Sequence, residues 1–115
     1  MNTWIGVRQL EGITVLEVVG RLTLSDGAAV LRQQVLEVIE RGVSNVIVNV
    51  CEVPYVDSAG LGELVATHKA MANRGGQMML VAPSKRVADL LRAARLDRVL
   101  SSFADEAEAL RSFDA

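Results

Sequence analysis

The sequence predicts a single α/β domain built on a mixed sheet of four to five strands, with an N-terminal hairpin and about four helices packed on the sheet. Two β-rich runs open the chain and are separated only by Glu11-Gly12. Strand-like and helix-like segments then alternate from residue 45 onward. The 115 residues are half hydrophobic and contain no repeat or low-complexity linker, so residues 1–115 are expected to form one domain.

The first half of the chain predicts a hairpin, a helix and a central strand. Residues 4–10 and 13–19 are partly alternating β-rich runs, which is typical of a hairpin. Ser25 is a candidate N-cap for a helix that ends at Gly42. Residues 45–50 form a short, β-branched run bounded by turn signals, as in a strand buried on both faces. The apolar positions of the helix recur at steps of three and four residues: Ala28, Leu31, Val35, Val38 and Ile39.

The second half predicts two further strands and three helices. A helix begins within residues 57–60 and ends at Gly75-Gly76, a strand covers 77–81, and Pro83-Ser84 begins a third helix. Val99-Leu100 is expected to form a short last strand, and Asp105 to cap a terminal helix. The predicted apolar stripes are Leu61, Leu64, Val65, His68, Met71 and Ala72 on the second helix, Val87, Leu90, Leu91 and Ala94 on the third, and Ala109 and Leu110 on the last.

Composition and charge exclude several classes of function. The net charge is −2 and only 3% of the residues are aromatic, which disfavours nucleic acid as a partner. No apolar run approaches the roughly 20 residues that span a bilayer, and the first residues do not resemble a signal peptide, so we expect a cytoplasmic protein without direct membrane insertion. Cys51 and His68 alone cannot form a zinc site, and we expect no metal, no cofactor and a buried Cys51.

The segment 57–62 contains the least ordinary residues of the chain. Either Asp57 or Ser58 is suited to cap the helix that follows. Gly60 and Gly62 in the first helical turn each cost about 1 kcal/mol relative to Ala, which indicates a close approach of another backbone. A catalytic Ser58 is disfavoured because His68, the only histidine, lies ten residues further along the same helix, about 15 Å away. We therefore do not expect an enzyme.

A basic segment covers the predicted third helix and the residues just after it. Lys85, Arg86, Arg92, Arg95 and Arg98 are interrupted only by Asp89 and Asp97. Such a segment is most often a solvated helix face. A docking patch for an acidic partner is the alternative.

These motifs together carry a resemblance to a known family. The order of hairpin, Gly20-Arg21-Leu22, helix, strand, residues 56–62 and residues 75–78 resembles the STAS domain family, specifically bacterial anti-sigma factor antagonists, over roughly residues 3 to 111. The resemblance implies a partner-switching protein that binds an anti-sigma factor, itself a GHKL-type serine kinase, and thereby releases a sigma factor. It also implies that the kinase phosphorylates Ser58 and ends binding, and that a metal-dependent serine phosphatase restores it.

The resemblance also implies where the partner binds. Candidate contact residues are those of the serine motif and those of the loop after Leu22, where Asp26 is the first acidic residue: Thr23, Ser25, Asp26, Asp57, Ser58, Ala59, Gly60, Leu61 and Gly62. A phosphate at Ser58 would add about −1.5 to −2 charge at a helix N-terminus, beside Asp57 and Glu63. The alternative function is a STAS scaffold without a switch, such as a subunit of a lipid-transport ABC complex or a stressosome-like assembly, in which Ser58 is only a cap.

Overall fold

The computed structural model describes residues 2–113. Their strands form one five-stranded mixed sheet. The spatial order of the strands is the order in which they occur along the chain. The first two pair antiparallel, and every later pairing is parallel. The strands are β1 (Trp4–Leu10), β2 (Ile13–Val19), β3 (Asn45–Glu52), β4 (Gln77–Val81) and β5 (Ser102–Phe103).

Four helices cover the two faces of this sheet unequally. Each of the first three connects one parallel strand to the next, and right-handed crossovers that progress in one direction place them on the same face. The last helix packs on the opposite face. The helices are α1 (Ala28–Glu40), α2 (Ser58–Asn73), α3 (Lys85–Ala93) and α4 (Glu106–Phe113).

The central position of β3 follows from its sequence, as predicted. Val46, Val48 and Val50 belong to the core under α1, α2 and α3, whereas Ile47 belongs to the smaller cluster under α4. Alternate residues of a strand point to opposite faces, so a strand covered on both sides requires an uninterrupted apolar run. The fold class, the hairpin and the four helices are thus those that the sequence predicts.

The start of α1 differs from the prediction. Its N-cap is Gly27, no side chain caps the helix, and Ser25 lies exposed in the preceding loop. A Cβ at Gly27 would lie 2.1 Å from the carbonyl oxygen of Arg21, so the chain requires glycine where the loop closes on itself. The prediction of Ser25 as the cap was therefore wrong.

The last strand is also displaced from its predicted position. Val99-Leu100 is not a strand, because Leu100 is buried in the core and its N–H bonds to the carbonyl of Leu96 in a helical turn. Strand β5 begins at Ser102, where the chain reaches the edge of β4. Local hydrophobicity identified the buried Leu100, but Val99 is exposed and the pairing partner lies elsewhere.

Three predicted apolar positions are exposed: Ala72, Ala94 and Cys51. Ala72 and Ala94 face solvent, whereas Thr67 is buried on α2 and donates its hydroxyl to the carbonyl of Glu63 at 2.8 Å. Cys51 is exposed, contrary to expectation, because it lies on the α4 face of β3 beyond the cluster that this short helix covers. His68 is half-buried, but it is not hydrogen-bonded as a core histidine is expected to be, because its Nδ1 is buried without a partner among residues 2–113.

Candidate functional site

The predicted site residues come from two loops that lie side by side at the end of the sheet where the parallel strands β2 and β3 finish. Leu22 and Val56 form an isolated parallel bridge between these loops. The N–H of Leu22 donates to the carbonyl of Tyr55, and the N–H of Asp57 donates to the carbonyl of Leu22, both at 3.1 Å. The loop after β2 is thus fixed by backbone hydrogen bonds against the segment that leads into α2.

Asp57 joins the two loops through both of its carboxylate oxygens. Oδ1 accepts the N–H of Gly60 at 2.9 Å and so caps α2, whereas Oδ2 accepts the N–H of Leu24 at 3.0 Å. The Leu24 hydrogen bond, followed by that from Gly60, holds the pKa of Asp57 below its ordinary value. The carboxylate therefore remains ionised and keeps Leu24 next to the start of α2.

Ser58, the first residue of α2, is exposed. Because Asp57 supplies the cap, the structure decides between the two cap candidates and leaves Ser58 without that role. His68 lies on the same helix, ten residues further along, so the two side chains are separated along α2 as expected. The Ser58 hydroxyl is therefore accessible to another protein and is not needed to begin the helix.

Gly60 and Gly62 lie in the first two turns of α2 for different reasons. A Cβ at Gly60 would lie 2.0 Å from the carbonyl oxygen of Leu22, so this glycine is required by the packing of α2 on the neighbouring loop. A Cβ at Gly62 would meet nothing within 4 Å. The close backbone approach expected at Gly60 occurs inside the chain, and Gly62 alone leaves an open surface beside Ser58.

The loop between β2 and α1 places its residues unequally. Thr23 and Asp26 bond to each other, with the Asp26 N–H donating to Thr23 Oγ1 at 3.1 Å. Asp26 also pairs with Arg21 at 2.8 Å. Ser25 is exposed, and Leu24 is 80% exposed, the most exposed of the large hydrophobic residues within 2–113.

The acidic character expected from Asp57 and Glu63 is partly neutralised. Arg32 of α1 donates to Glu63 Oε1 from Nε at 2.8 Å and from a terminal nitrogen at 2.6 Å. This pair joins α1 to α2. The charge of Asp57, the acidic group next to Ser58, is instead balanced by backbone N–H groups and not by a cation.

Leu24 and Arg32 were not among the predicted site residues. Leu24 is an apolar residue between Thr23 and Ser25 in a polar loop, and that contrast is the one sequence signal that could have identified it. The position of Arg32 opposite Glu63 depends on how two helices pack, so no local pattern indicates it. Both flank the surface that contains Ser58.

The part of the chain that the structure describes lacks the features of a metal site and of a membrane-spanning helix. Residues 2–113 contain no group of three or more His, Cys, Asp or Glu side chains that could hold a metal ion. None of the helices in the same range is long and apolar enough to cross a bilayer.

The fold agrees with a family match. The sequence model of the STAS domain matches residues 5–109, so the chain belongs to the STAS domain family. The anti-sigma-B factor antagonist of Bacillus subtilis (strain 168) is 32% identical over 89 residues, which are 76% of this chain and 78% of that protein. A TM1081 homolog from Thermotoga neapolitana is 31% identical over 74 residues, 64% of this chain and 66% of that protein.

Solved structures confirm the fold. The crystal structure of an anti-sigma factor antagonist from Mycobacterium paratuberculosis superimposes with a TM-score of 0.88 at 20% identity and covers 99% of this chain and 96% of that chain. A sulfate transporter family protein from Wolinella succinogenes gives a TM-score of 0.78 at 24% identity, with 93% and 88% covered. The same fold therefore occurs in regulators and in transport proteins, and function has to be argued from the site.

Proposed function

We propose that this protein is an anti-sigma factor antagonist that binds an anti-sigma factor and is switched off by phosphorylation of Ser58. The observation that carries the proposal is the position of Ser58. It is exposed at the first residue of α2, while Asp57 caps that helix. A serine that the fold does not need, at a helix terminus that tolerates anions, is suited to reversible modification.

The surface around Ser58 is suited to a protein partner. Leu24 offers an exposed apolar side chain, and Asp57 holds its backbone against the start of α2. Ser25, Ala59, Leu61 and Gly62 complete the proposed contact, and the internally bonded Thr23 and Asp26 fix the shape of the loop. An apolar centre with a polar rim is the usual composition of such an interface.

The switch would act at the interface and not on the fold. A phosphate of about −1.5 to −2 charge beside the ionised Asp57 would have to be desolvated together with it when the partner binds. A loss of about 1.4 kcal/mol in binding is already a tenfold loss of affinity. The fold itself tolerates such a group in a relative: SpoIIAA of Bacillus in its phosphorylated form matches this chain with a TM-score of 0.71 at 20% identity.

The proposed partners are a GHKL-type serine kinase that is itself the anti-sigma factor and a metal-dependent serine phosphatase. Both act on Ser58 from solution, in the cytoplasm, and the protein itself is a substrate and a binding partner, not an enzyme. Release of the sigma factor follows from competition for the kinase.

Affinity capture from a lysate of the native host tests the proposal. The baits are Ser58→Ala and Ser58→Glu, with Ser101→Glu as a control that adds the same charge at an exposed serine remote from the two loops. We expect a GHKL-type kinase on the Ser58→Ala and Ser101→Glu baits and its loss from the Ser58→Glu bait. Incubation of the wild-type protein with that kinase and ATP should then place phosphate on Ser58, as located by peptide mass spectrometry.

Two results would contradict the proposal. One is equal recovery of a transporter ATPase or of a large scaffold by all three baits, which would indicate the STAS scaffold function without a switch. The other is phosphorylation at a residue other than Ser58 by the captured kinase.

A further inference from the structure

The segment from Lys85 to Arg98 is a basic surface on an otherwise acidic protein. It contains five basic and two acidic residues, a net charge of +3, whereas the whole chain has −2. The rest of the protein therefore carries −5. This asymmetry favours an acidic molecule as the occupant of the segment.

Two neighbouring depressions lie along this surface. The first is an open groove of about 600 Å³ with a largely apolar lining, formed by Lys85, Arg86, Asp89, Leu90 and Ala93. The second has about 320 Å³ and is lined by Arg92, Arg95, Asp97 and Arg98. An apolar groove next to a pocket with three guanidinium groups offers two kinds of contact side by side.

The chain itself neutralises only part of this charge. Asp89 pairs with Lys85 at 3.0 Å and with Arg92 at 3.2 Å. Arg86 lies over the ring of Tyr55, with its guanidinium carbon 4.7 Å from the ring centroid. Among the ion pairs formed within residues 2–113, none involves Arg95 or Arg98. These two side chains are available to a ligand.

Arg95 is also conformationally unusual. Helices α1, α2 and α3 end in the same turn, in which two successive N–H groups bond back to the last helical carbonyls. In α1 and α2 the left-handed position of this turn is glycine, Gly42 with φ +82° and Gly75 with φ +79°. In α3 it is Arg95, with φ +59°. Glycine would adopt this conformation with less strain, so the turn does not explain the arginine.

We propose that the surface formed by Leu90, Ala93, Arg92, Arg95 and Arg98 is a docking site for an acidic segment of a partner protein. Carboxylates of the segment pair with the guanidinium groups, which suit bidentate contact, and an apolar side chain of the segment packs in the groove. The carboxyl end of α3 lies where the parallel strands begin, whereas the amino end of α2 lies where they end. This site is therefore distinct from the Ser58 surface. The proposal does not depend on the phosphorylation switch.

Fluorescence anisotropy with the full chain tests the proposal. The probe is a short fluorescein-labelled peptide of glutamate with interspersed leucine, and the control peptide has glutamine in place of glutamate. We expect salt-sensitive binding that Arg95→Gly weakens about two- to fivefold and Arg95→Gly with Arg98→Ala about tenfold. Arg41→Ala, which removes one exposed arginine at the end of α1, and Ser58→Glu should leave the affinity unchanged.

Two accompanying measurements make the result decisive. The urea midpoint of Arg95→Gly should equal or exceed that of the wild type, because glycine suits the left-handed position. In amide NMR spectra, the glutamate peptide should shift residues 90–98 and leave the Ser58 region unchanged.

Several results would overturn the proposal. These are no binding of the glutamate peptide, equal binding of the glutamine peptide, or an equal loss with Arg41→Ala. A lower midpoint for Arg95→Gly would contradict the strain argument. Tighter binding of an RNA oligonucleotide or of phosphatidylglycerol vesicles to the same arginines would assign the surface to another class of ligand, and self-association abolished by Arg95→Gly would assign it to a second copy of the chain.

Discussion

Helices α2 and α3 begin in the same setting but use their serines differently. Each follows a parallel strand of the sheet, and each is capped by a side chain that accepts the N–H three residues further on. In α3 the cap is Ser84, whose hydroxyl accepts the N–H of Val87 at 3.2 Å. In α2 the cap is Asp57, and the serine is displaced by one position to Ser58, where it is exposed.

This difference separates a structural serine from an available one. The aspartate at the start of α2 has a second oxygen, which reaches the Leu24 N–H and fixes the neighbouring loop while the first oxygen caps the helix. Ser58 is thereby relieved of any role in starting the helix. A capping motif in a sequence thus identifies a helix start, whereas only the structure shows which residue of the motif remains free.

The largest expected effect concerns Gly60, which makes the α2 terminus unlike that of α3. Gly60→Ala should lower the free energy of unfolding by about 3 kcal/mol, because its Cβ would collide with the Leu22 carbonyl. Gly62→Ala is the matched control and should raise stability by up to about 1 kcal/mol. Urea denaturation measures both. Equal effects of the two substitutions would contradict the close contact between α2 and the loop.

The next effect compares the two caps directly. Ser84→Ala removes one capping bond and should cost about 1 kcal/mol, as typical N-caps do. Asp57→Ala removes both the cap and the bond to Leu24, so its loss of stability should exceed that of Ser84→Ala. Both are measured by urea denaturation monitored by circular dichroism. A smaller loss for Asp57→Ala would show that the carboxylate does not join the loops.

Acid should weaken one cap and leave the other unchanged. The folded pKa of Asp57 is lowered, so its contribution to stability is fully present above the unfolded value of about 3.9 and is lost as the pH falls through the lower folded pKa. The amide shifts of Leu24 and Gly60 should therefore titrate together below about pH 4, while that of Val87, bonded to a hydroxyl, should not follow. Titration of Leu24 and Gly60 with different midpoints would refute the shared carboxylate.

The smallest effect is expected at Ser58. Ser58→Ala should change the free energy of unfolding by less than about 0.5 kcal/mol, because the side chain is exposed and does not cap the helix. This contrasts with Ser84→Ala in the same urea assay. A loss for Ser58→Ala as large as that for Ser84→Ala would return Ser58 to a structural role.

Most of the fold was predictable because its elements have strong local patterns. The β-branched run of residues 45–50, the periodicity of α1 and the closing residues Gly42 and Gly75 all depend on neighbours within a few positions. Strand β5 was misplaced because its position depends on pairing with β4, which is remote in sequence. Ser25 failed as a cap because a backbone contact with Arg21 decides how that loop closes.

The candidate site was predictable in part for the same reason. The serine motif indicated Asp57 and Ser58 as alternatives, and the hydrogen bond from the Gly60 N–H to Asp57 decides between them. The contact between Leu24 and Asp57 joins residues 33 positions apart, and the pair of Arg32 with Glu63 joins residues 31 positions apart. No local pattern contains such contacts, so the way in which Leu24 and Arg32 join the site appears only in the folded chain.

The measurement that tests the central claim most directly determines stability and partner affinity on the same preparations of wild type and Ser58→Glu. The urea midpoint and the affinity for the purified GHKL-type kinase are measured for each. We predict that the free energy of unfolding stays within about 0.5 kcal/mol of the wild type. We predict also that the affinity falls about tenfold or more. An unchanged affinity, or a loss of affinity that merely accompanies unfolding, would contradict the claim that Ser58 is a free switch on an intact fold.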